Sequence, residues 1–324
     1  MGGVRSGQAI EMKLEGIHHI TCITGDAPRN VDFYVRVLGL RMVKKTVNQD
    51  DPTVYHLFYA DDEGSPGADL TFFEYPGVAQ GKTGAGMVER IVWRVASTDA
   101  VEFWRGRLES EGAEVEPTAG GIRFRDPEGL GLELTVSDAS DRPLRATSPD
   151  VPEECALRGF DAVRALALER DVDTGVLSRQ LEFTPVTEGC WEARGEERGG
   201  MIEYVATAER GRSGAGTVHH VAWASHDSDH AQWRERVAAA GLHVTPIIDR
   251  FYFKSIYFRV PSGVLFEIAT HSPGFTADEP KGELGRRLSL PPAYEHLREK
   301  LEQVLTPLPE DPREVLVPPS GQQE

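Results

Sequence analysis

Two pairs of adjacent histidines lie in apolar runs about two hundred residues apart. His18 and His19 belong to GIHHIT, and His219 and His220 belong to GTVHHVAW. The neutral imidazole is the commonest metal ligand among side chains. Because neighbouring side chains of a strand point to opposite faces, at most one histidine of each pair can serve a common centre. The two runs therefore predict a metal site that takes one imidazole from each of two strands.

The residues around each pair indicate which histidine faces the site. His220 shares its strand face with the small residue Ala222, whereas His219 shares the other face with Trp223. A face of small side chains leaves room for an ion and its ligands, and the same count makes His19 the inward member of the first pair. We therefore assign His19 and His220 to the metal and their neighbours to its surroundings.

A carboxylate supplies the third expected ligand. Glu267 lies in VPSGVLFEIAT between two apolar residues, where an ionised side chain is costly unless it is paired or bound to a metal. Two neutral histidines and one carboxylate form the facial triad that holds non-haem Fe(II) and leaves positions open for oxygen and substrate. Thr71 occupies the matching place nearer the N-terminus, so no strong fourth ligand is expected. We therefore predict a metal bound by His19, His220 and Glu267.

An internal repeat explains why the motif occurs twice. Setting GMVERIVW (86–93) over GTVHHVAW (216–223) aligns Gly with Gly, Val with Val and Trp with Trp. In both places a helical pattern follows, and then two strands joined by a Pro-x-Gly turn. The same plan fits residues 16–76 and, more loosely, residues 157–206. The sequence therefore predicts four βαβββ modules, followed by a tail with one amphipathic helix from Pro292 to Leu305.

The repeat predicts an α+β protein in which the four modules form two barrel-like domains. We place the domains at residues 14–145 and 153–275, with the tail at residues 276–324. Because the predicted ligands belong to the first and fourth modules, these two modules should pair around one cavity. The second and third modules should then form a structural counterpart without a metal.

The middle modules lack the histidine pairs. At the corresponding positions the second module has Glu89 and Arg90, and the third has Phe160 and Asp161. Glu133 matches the strand carboxylate of the last module, and an ion pair with Arg90 explains it better than a second metal does. The six remaining histidines are interpreted as structural or solvated: His56, His226, His230, His243, His271 and His296.

Composition narrows the class of partner. The formal net charge is −17, which argues against nucleic acid and anionic membrane surfaces and favours a small-molecule partner. No apolar run has the length of a transmembrane helix, and residues 1–11 lack the apolar core of a signal peptide, so we expect the protein in the cytoplasm. Three cysteines without CxxC spacing indicate neither a disulfide framework nor a zinc-thiolate site. The oligomeric state stays open, with a homo-oligomer among the options.

The modules and both histidine motifs resemble the vicinal oxygen chelate (glyoxalase/extradiol dioxygenase) superfamily. Within it, LRMVKKTVNQDDPTVYHLFYADDEGSPGADLTFF and DRFYFKSIYFRVPSGVLFEIAT resemble the hydroquinone ring-cleaving dioxygenases, and the similarity extends over nearly all of residues 14–310. The resemblance implies an enzyme of aromatic-compound degradation that uses dioxygen, a small aromatic substrate and Fe(II), or Mn(II) in some relatives. Its metal ligands would be the second histidine of each pair and the Glu of LFEIAT, which are His19, His220 and Glu267.

The resemblance also implies supporting roles for four side chains. These are His18, His219, Arg250 of DRFYF and Tyr257 of SIYFR. In a hydroquinone the second hydroxyl is para to the first and cannot chelate the same ion. Tyr257 and Arg250 are therefore the expected groups for orienting substrate and stabilising negative charge, and His219 for moving protons.

Three other functions compete with hydroquinone cleavage. An extradiol catechol dioxygenase would use the same triad. An isomerase or lyase of the glyoxalase type would use a redox-inert metal and typically a fourth protein ligand, which Thr71 does not supply. A metal-free binding protein of the same fold would not retain two strand-borne histidines and a buried carboxylate.

Overall fold

Two eight-stranded sheets dominate the computed structural model, which describes residues 12–309. Residues 1–11, considered above for a signal peptide, and residues 310–324 of the predicted tail lie outside the described part. In chain order the strands are β1 (Ile17–Thr24), β2 (Arg41–Asn48), β3 (Asp51–Ala60), β4 (Asp69–Glu74), β5 (Met87–Val95), β6 (Glu116–Pro117), β7 (Gly121–Arg125), β8 (Gly131–Val136), β9 (Phe160–Ala167), β10 (Thr184–Thr187), β11 (Cys190–Arg194), β12 (Gly199–Ala206), β13 (Thr217–Ser225), β14 (Ile248–Asp249), β15 (Lys254–Arg259) and β16 (Leu265–Thr270).

Each sheet is built from two modules. The first sheet has the order β14-β15-β16-β13-β1-β4-β3-β2, and the second has the order β10-β11-β12-β9-β5-β8-β7-β6. In the middle of each sheet two strands of different modules pair antiparallel, β1 with β13 and β5 with β9. The first module therefore pairs with the fourth and the second with the third, as the ligand positions predicted. The first sheet takes strands from both predicted domains, and the division of the chain between residues 145 and 153 stays a prediction.

Helices follow the first strand of each module where the sequence predicted them. The helix of the second module begins where the Ser97 side chain accepts a hydrogen bond from the amide of Ala100, and it ends before Gly112, whose φ of 80° suits glycine. The helix of the first module continues as a π-helix over Asp32–Val37, and that of the third is only a π-helical stretch, Val176–Gln180. The α-helices are α1 (Ala27–Val31), α2 (Thr98–Ser110), α3 (His230–Ala239) and α4 (Arg298–Val304).

Short 3-10 helices complete the secondary structure, at Glu153–Cys155, Phe275–Ala277, Lys281–Glu283 and Pro292–Leu297. The last of them and α4 together form the tail helix that was predicted. Within residues 12–309, every helix falls short of the length or apolar character that a bilayer-spanning segment needs.

Both central strand pairs contain β-bulges at matching positions. In the β1–β13 ladder, His18 and His219 are the extra residues that the partner strand does not match. In the β5–β9 ladder, Glu89 and Asp161 are the extra residues. A bulge redirects the side chain of its extra residue. The strict alternation assumed for the histidine pairs therefore does not hold at His18 and His219.

The register corrects the sequence alignment of the third module by one residue. Ala162 pairs with Val92 as His19 pairs with Ala222. The counterparts of His18 and His19 are therefore Asp161 and Ala162, and the assignment to Phe160 and Asp161 was wrong. The module is too diverged for a side-chain match, so that only the backbone pairing reveals the register.

Candidate metal centre

Three side-chain atoms that could bind a metal converge at the middle of the first sheet, and they belong to the residues that the sequence analysis assigned to the metal. The Nε2 atom of His19 lies 3.3 Å from Nε2 of His220 and 3.3 Å from Oε2 of Glu267, and His220 Nε2 lies 2.9 Å from the same oxygen. Ligand atoms bound at about 2.1 Å to one tetrahedral or octahedral ion lie roughly 3.0–3.4 Å apart. The three side chains come from β1, β13 and β16, and they are at most 5% exposed. Their spacing therefore suits a metal ion without rearrangement.

Glu267 places a fully buried carboxylate between the two imidazoles. Its Oε1 accepts a hydrogen bond from the hydroxyl of Ser255. Its Oε2 has no hydrogen-bond donor of suitable geometry among residues 12–309. Burial alone would raise the pKa of Glu267, but the imidazoles of His19 and His220 outweigh burial and hold it well below its usual range. An ionised, fully buried oxygen of this kind is costly unless a cation binds it.

The first histidine of each pair contacts its neighbour instead of the centre. His18 Nε2 lies 3.1 Å from the carbonyl oxygen of Thr270, and its Nδ1 lies 2.9 Å from Nδ1 of His19. We assign the His18 proton to Nε2, because a carbonyl only accepts. Burial and the His19 ring lower the pKa of His18, so its Nδ1 is unprotonated and accepts from His19 Nδ1. This leaves the lone pair of His19 Nε2 free for a metal.

His219 has the same relation to His220. Their Nδ1 atoms lie 2.7 Å apart, and burial lowers the pKa of His220, so that its ring is neutral. The bulge turns His219 into the wall of the cavity that adjoins the centre. The prediction that His219 lies on the opposite face was therefore wrong, whereas its place beside a ligand agrees with the predicted supporting role.

A cavity of about 310 Å³ reaches the two imidazole ligands from solvent. This volume is at the lower end of the range for small-molecule sites. Side chains of the first and fourth modules line it, mainly aromatic, imidazole and polar: His56, Phe58, Phe73, His219, Arg250, Phe253 and Tyr257. The cavity can therefore enclose a flat aromatic molecule next to the metal centre.

A polar group lies on the cavity wall beside the ligands. The Nε of Arg250 donates to the hydroxyl of Tyr257 at 3.2 Å, and its two terminal nitrogens donate to Asp50 at 3.0 and 2.9 Å. Burial and the Glu267 carboxylate raise the pKa of Tyr257, so the hydroxyl keeps its proton. Because that hydroxyl accepts from Arg250, its own proton remains available for a ligand.

His56 is a cavity residue that the sequence analysis missed. Its Nε2 lies 2.9 Å from the Thr71 hydroxyl. The centre of its ring lies 4.0 Å from the ring centre of Phe58 and 4.3 Å from that of Phe73. Burial and the His19 ring lower the pKa of His56, so its ring is neutral. The alternation of His56 and Phe58 in VYHLFY was the available signal, but nothing local says that this face of β3 meets the metal centre.

Two other histidines, which were predicted to be structural or solvated, lie beside a common carboxylate. His226 and His271 both contact the carboxylate of Glu15, at 3.3 and 2.8 Å. The three side chains form a second group with the composition of a metal site, at the surface end of β1, β13 and β16. In the sequence they lie far apart, so no spacing pattern could have revealed the group.

Known proteins share this sequence and architecture. Residues 16–134 match the model of the Glyoxalase/Bleomycin resistance protein/Dioxygenase superfamily. The chain is 38% identical to ring-cleaving dioxygenase MhqA of Bacillus subtilis over 92% of this chain and 100% of that protein. It is 32% identical to the chlorohydroquinone/hydroquinone 1,2-dioxygenase of Sphingobium indicum, over 89% of this chain and 95% of that protein.

A solved structure agrees as well. The crystal structure of a Bacillus subtilis protein described as a dioxygenase superposes with a TM-score of 0.86 at 39% identity, covering 92% of this chain and 98% of the other. These matches confirm the predicted fold class and the prediction of an enzyme. The chain therefore belongs to the ring-cleaving dioxygenases of the Glyoxalase/Bleomycin resistance protein/Dioxygenase superfamily.

Proposed function

We propose that this enzyme opens the ring of hydroquinones with dioxygen, next to a hydroxyl-bearing carbon, at Fe(II) held by His19, His220 and Glu267. A dioxygenase of this superfamily requires a metal ion and acts on a small aromatic substrate. The observation that carries the proposal is the fully buried Glu267 oxygen without a hydrogen-bond donor, which converges with two imidazoles beside an aromatic cavity. We favour Fe(II) over Mn(II) because two histidines and one carboxylate suit non-haem iron oxygenases.

The bound ion supplies redox chemistry and open positions for a substrate hydroxyl and oxygen. The protein supplies orientation. Phe73 and Phe253 are aromatic walls of the cavity against which a substrate ring can pack. Because a para hydroxyl cannot reach the ion that binds its partner, protein groups must hold it. The Tyr257 hydroxyl, with its proton free to donate and Arg250 behind it, is the group that suits this role.

Asp50 and His219 are the remaining residues to which we assign a role in binding substrate or moving protons. Asp50 binds both terminal nitrogens of Arg250, which fixes the guanidinium where it can stabilise negative charge on substrate. Removal from bulk water in the cavity wall lowers the pKa of His219 to about 3. The neutral ring can therefore accept a hydrogen bond or proton from a substrate hydroxyl.

Metal analysis combined with oxygen uptake tests the proposal. The enzyme is purified anaerobically, stripped, reloaded with Fe(II) or Mn(II), and supplied with hydroquinone, methylhydroquinone, chlorinated hydroquinones or catechol. We expect oxygen consumption with the hydroquinones and Fe(II), and slower consumption with catechol. Cleavage of catechol alone would establish the extradiol alternative, and metal-dependent turnover without oxygen uptake would establish an isomerase or lyase. The cytoplasmic location stays a prediction, to be checked by cell fractionation.

A further inference from the structure

A second group of two imidazoles and one carboxylate lies at the surface end of the strands that carry the buried triad. His271 Nε2 is 2.8 Å from one oxygen of Glu15, and His226 Nε2 is 3.3 Å from the other. One ligand atom of each residue lies within 4.8 Å of both others. We propose that Glu15, His226 and His271 form an accessory site for Zn²⁺ that is distinct from the catalytic centre.

The position of the group follows from the architecture of the first sheet. Glu15 lies two residues before β1, His226 directly follows β13, and His271 directly follows β16. Each is four or six residues along its strand from a ligand of the buried centre. The ring of His18 lies between the two groups, with its centre 6.1 Å from the ring centre of His271 and 5.0 Å from that of His19. The two groups therefore share no ligand and would bind two separate ions.

The surrounding backbone holds Glu15 in place. Its amide donates to the carbonyl of Ala224 at 2.9 Å. Its side chain lies against Gly195, where an added Cβ would be 2.5 Å from Glu15 Cγ and 2.8 Å from Oε1. Any residue larger than glycine at position 195 would clash with the Glu15 side chain. Although the group of three residues lies at the surface, the Glu15 side chain is only 12% exposed. The carboxylate that contacts both histidines is therefore held in position before a metal binds.

The loops that carry the two histidines are also tied together. Asp227 accepts from the amide of Ser272 at 3.4 Å and from its hydroxyl. These contacts join the residue after His226 to the residue after His271. Because the two loops are already joined, metal binding costs less conformational entropy here than at a site assembled from independent loops.

The ligand set and its exposure select the ion. Imidazole and carboxylate together suit Zn²⁺ and its late first-row neighbours better than Mg²⁺ or Ca²⁺, which prefer oxygen. The side chains of His226 and His271 are 58% and 37% exposed. Three protein ligands at the surface therefore leave a fourth tetrahedral position for water. A Zn²⁺ ion there would join the segment before β1 to the ends of β13 and β16 and stabilise the first sheet.

Counting bound Zn²⁺ tests the proposal. The stripped full-length enzyme, His226→Ala and the control His243→Ala, which removes an exposed histidine near β14, are titrated with Zn²⁺ by calorimetry. We expect two equivalents for wild type and His243→Ala, and for His226→Ala one equivalent, with the other weakened about a hundredfold or more. Occupation of the accessory site should raise the Tm by about 5 °C at a hundredfold excess of Zn²⁺ over Kd, and His226→Ala should lose this increment.

A further variant separates this proposal from the catalytic one. Glu267→Gln should lose the buried equivalent and retain the accessory one. Equal Zn²⁺ stoichiometry and affinity in wild type and His226→Ala would overturn the accessory site, whatever Glu267→Gln does. Conversely, two equivalents in Glu267→Gln and one in His226→Ala would overturn the buried centre and leave the accessory site standing. Glu15→Gln provides a second test, since it keeps the size of the shared ligand and removes its charge.

Discussion

The two sheets share strand order and bulge positions, yet they neutralise a strand carboxylate in different ways. In the second sheet, Glu133 takes the place of Glu267, the proposed metal ligand, and forms an ion pair with Arg90 at 2.8 Å. Ala162 takes the place of the first imidazole ligand, and a second ion pair, Arg164 with Glu203, lies nearby. The difference teaches that the architecture provides two equivalent places for a strand carboxylate, one fully buried at Glu267 and one partly exposed at Glu133. We expect the residue beside the carboxylate to decide whether a guanidinium or a metal ion compensates its charge.

The surroundings differ as well as the ligands. Ser255 donates to Glu267, but its counterpart Gly121 has no side chain, and an added Cβ would lie 1.8 Å from the carbonyl oxygen of Leu134. Tyr257 of the catalytic cavity corresponds to Arg123. The pocket at this place is lined mainly by charged residues, in contrast to the aromatic wall of the first sheet.

The largest effect should come from substituting Glu267 and Glu133 separately. Glu267→Gln keeps size and one lone-pair oxygen but removes the charge that offsets the ion, so iron occupancy should fall and turnover drop by about a thousandfold or more. Glu133→Gln should leave iron content and turnover unchanged and cost about 1 kcal/mol in free energy of unfolding, because Arg90 loses one of its two carboxylate partners and keeps Glu89 at 3.2 Å. Iron analysis, oxygen uptake and urea unfolding measure these values. Equal loss of iron in both variants would show that the two glutamates do not differ in metal binding and would contradict the comparison of the two sheets.

The next effect concerns the polar wall of the catalytic cavity. Tyr257→Phe removes a hydroxyl that is bonded to Arg250 and keeps the ring that packs against His220. Iron should bind normally, while turnover of hydroquinone slows by about ten- to a thousandfold, the range for one preorganised donor. Calorimetric melting serves as the control. Normal turnover with a clear drop in Tm would show that Tyr257 serves packing and has no part in catalysis.

A metal site can also be introduced into the second sheet. The double variant Arg90→His and Ala162→His places two imidazoles beside Glu133 at the positions of the natural ligands. We expect it to bind one additional Co²⁺, about 10- to 100-fold more weakly than the natural centre, because no side chain replaces Ser255. Visible absorption of Co²⁺ in a His226→Ala background measures binding without interference from the accessory site. If no additional ion binds, the shared bulge positions and strand register of the two sheets are not sufficient to create a metal site when two histidines are added.

The smallest predicted effect concerns pH. All 10 histidines lie outside residues 86–206, which form the second sheet. In the folded, metal-free protein, burial lowers the pKa of His18, His56 and His220. Below pH 6.5 the unfolded chain therefore binds more protons than the folded one, and stability falls as pH falls. For His18 and His56, whose pKa lies well below the usual value, the cost should be about 1.4 kcal/mol each at pH 5.5 relative to pH 7.5.

His56→Gln isolates the contribution of one ring to this pH dependence. Urea unfolding of the metal-free variant should lose about 1.4 kcal/mol less between pH 7.5 and pH 5.5 than wild type does. A matched substitution in the second sheet, Glu133→Gln, should leave the pH dependence of that interval nearly unchanged. An identical slope for wild type and His56→Gln would show that His56 is not held neutral by the fold.

The sequence alone was sufficient for the modules, their pairing and the three converging ligands. The strand motifs around His219 and Arg90 keep their glycine, valine and tryptophan, and a charged Glu267 between apolar residues indicates a buried function. Bulges have no comparable signal, because they arise from the register between strands far apart in the chain. His19 and His220 still converge on Glu267 because the extra residue of each bulge is the other histidine, and their assignment as metal ligands stays a prediction.

The remaining site residues depend on contacts that no local pattern encodes. His56 meets the metal centre only because β3 pairs with β4 and β4 with β1. Glu15, His226 and His271 come together because β1 and β13 run antiparallel while β16 runs parallel to β13, which brings one end of each strand to the same place. Such groups can be found only once the strand order is known.

The strand order also determines when the reactive centre can exist during synthesis. All strands of the second sheet lie between residues 87 and 206, so a nascent chain can complete that sheet while the ribosome is still extending it. The first sheet combines strands from residues 17–74 with strands from residues 217–270, and Glu267 lies on the last of these strands to emerge. A chain that terminates before residue 267 would contain one full sheet but would lack one of the three side chains proposed to bind the metal. We therefore expect incomplete translation products not to assemble the proposed metal site.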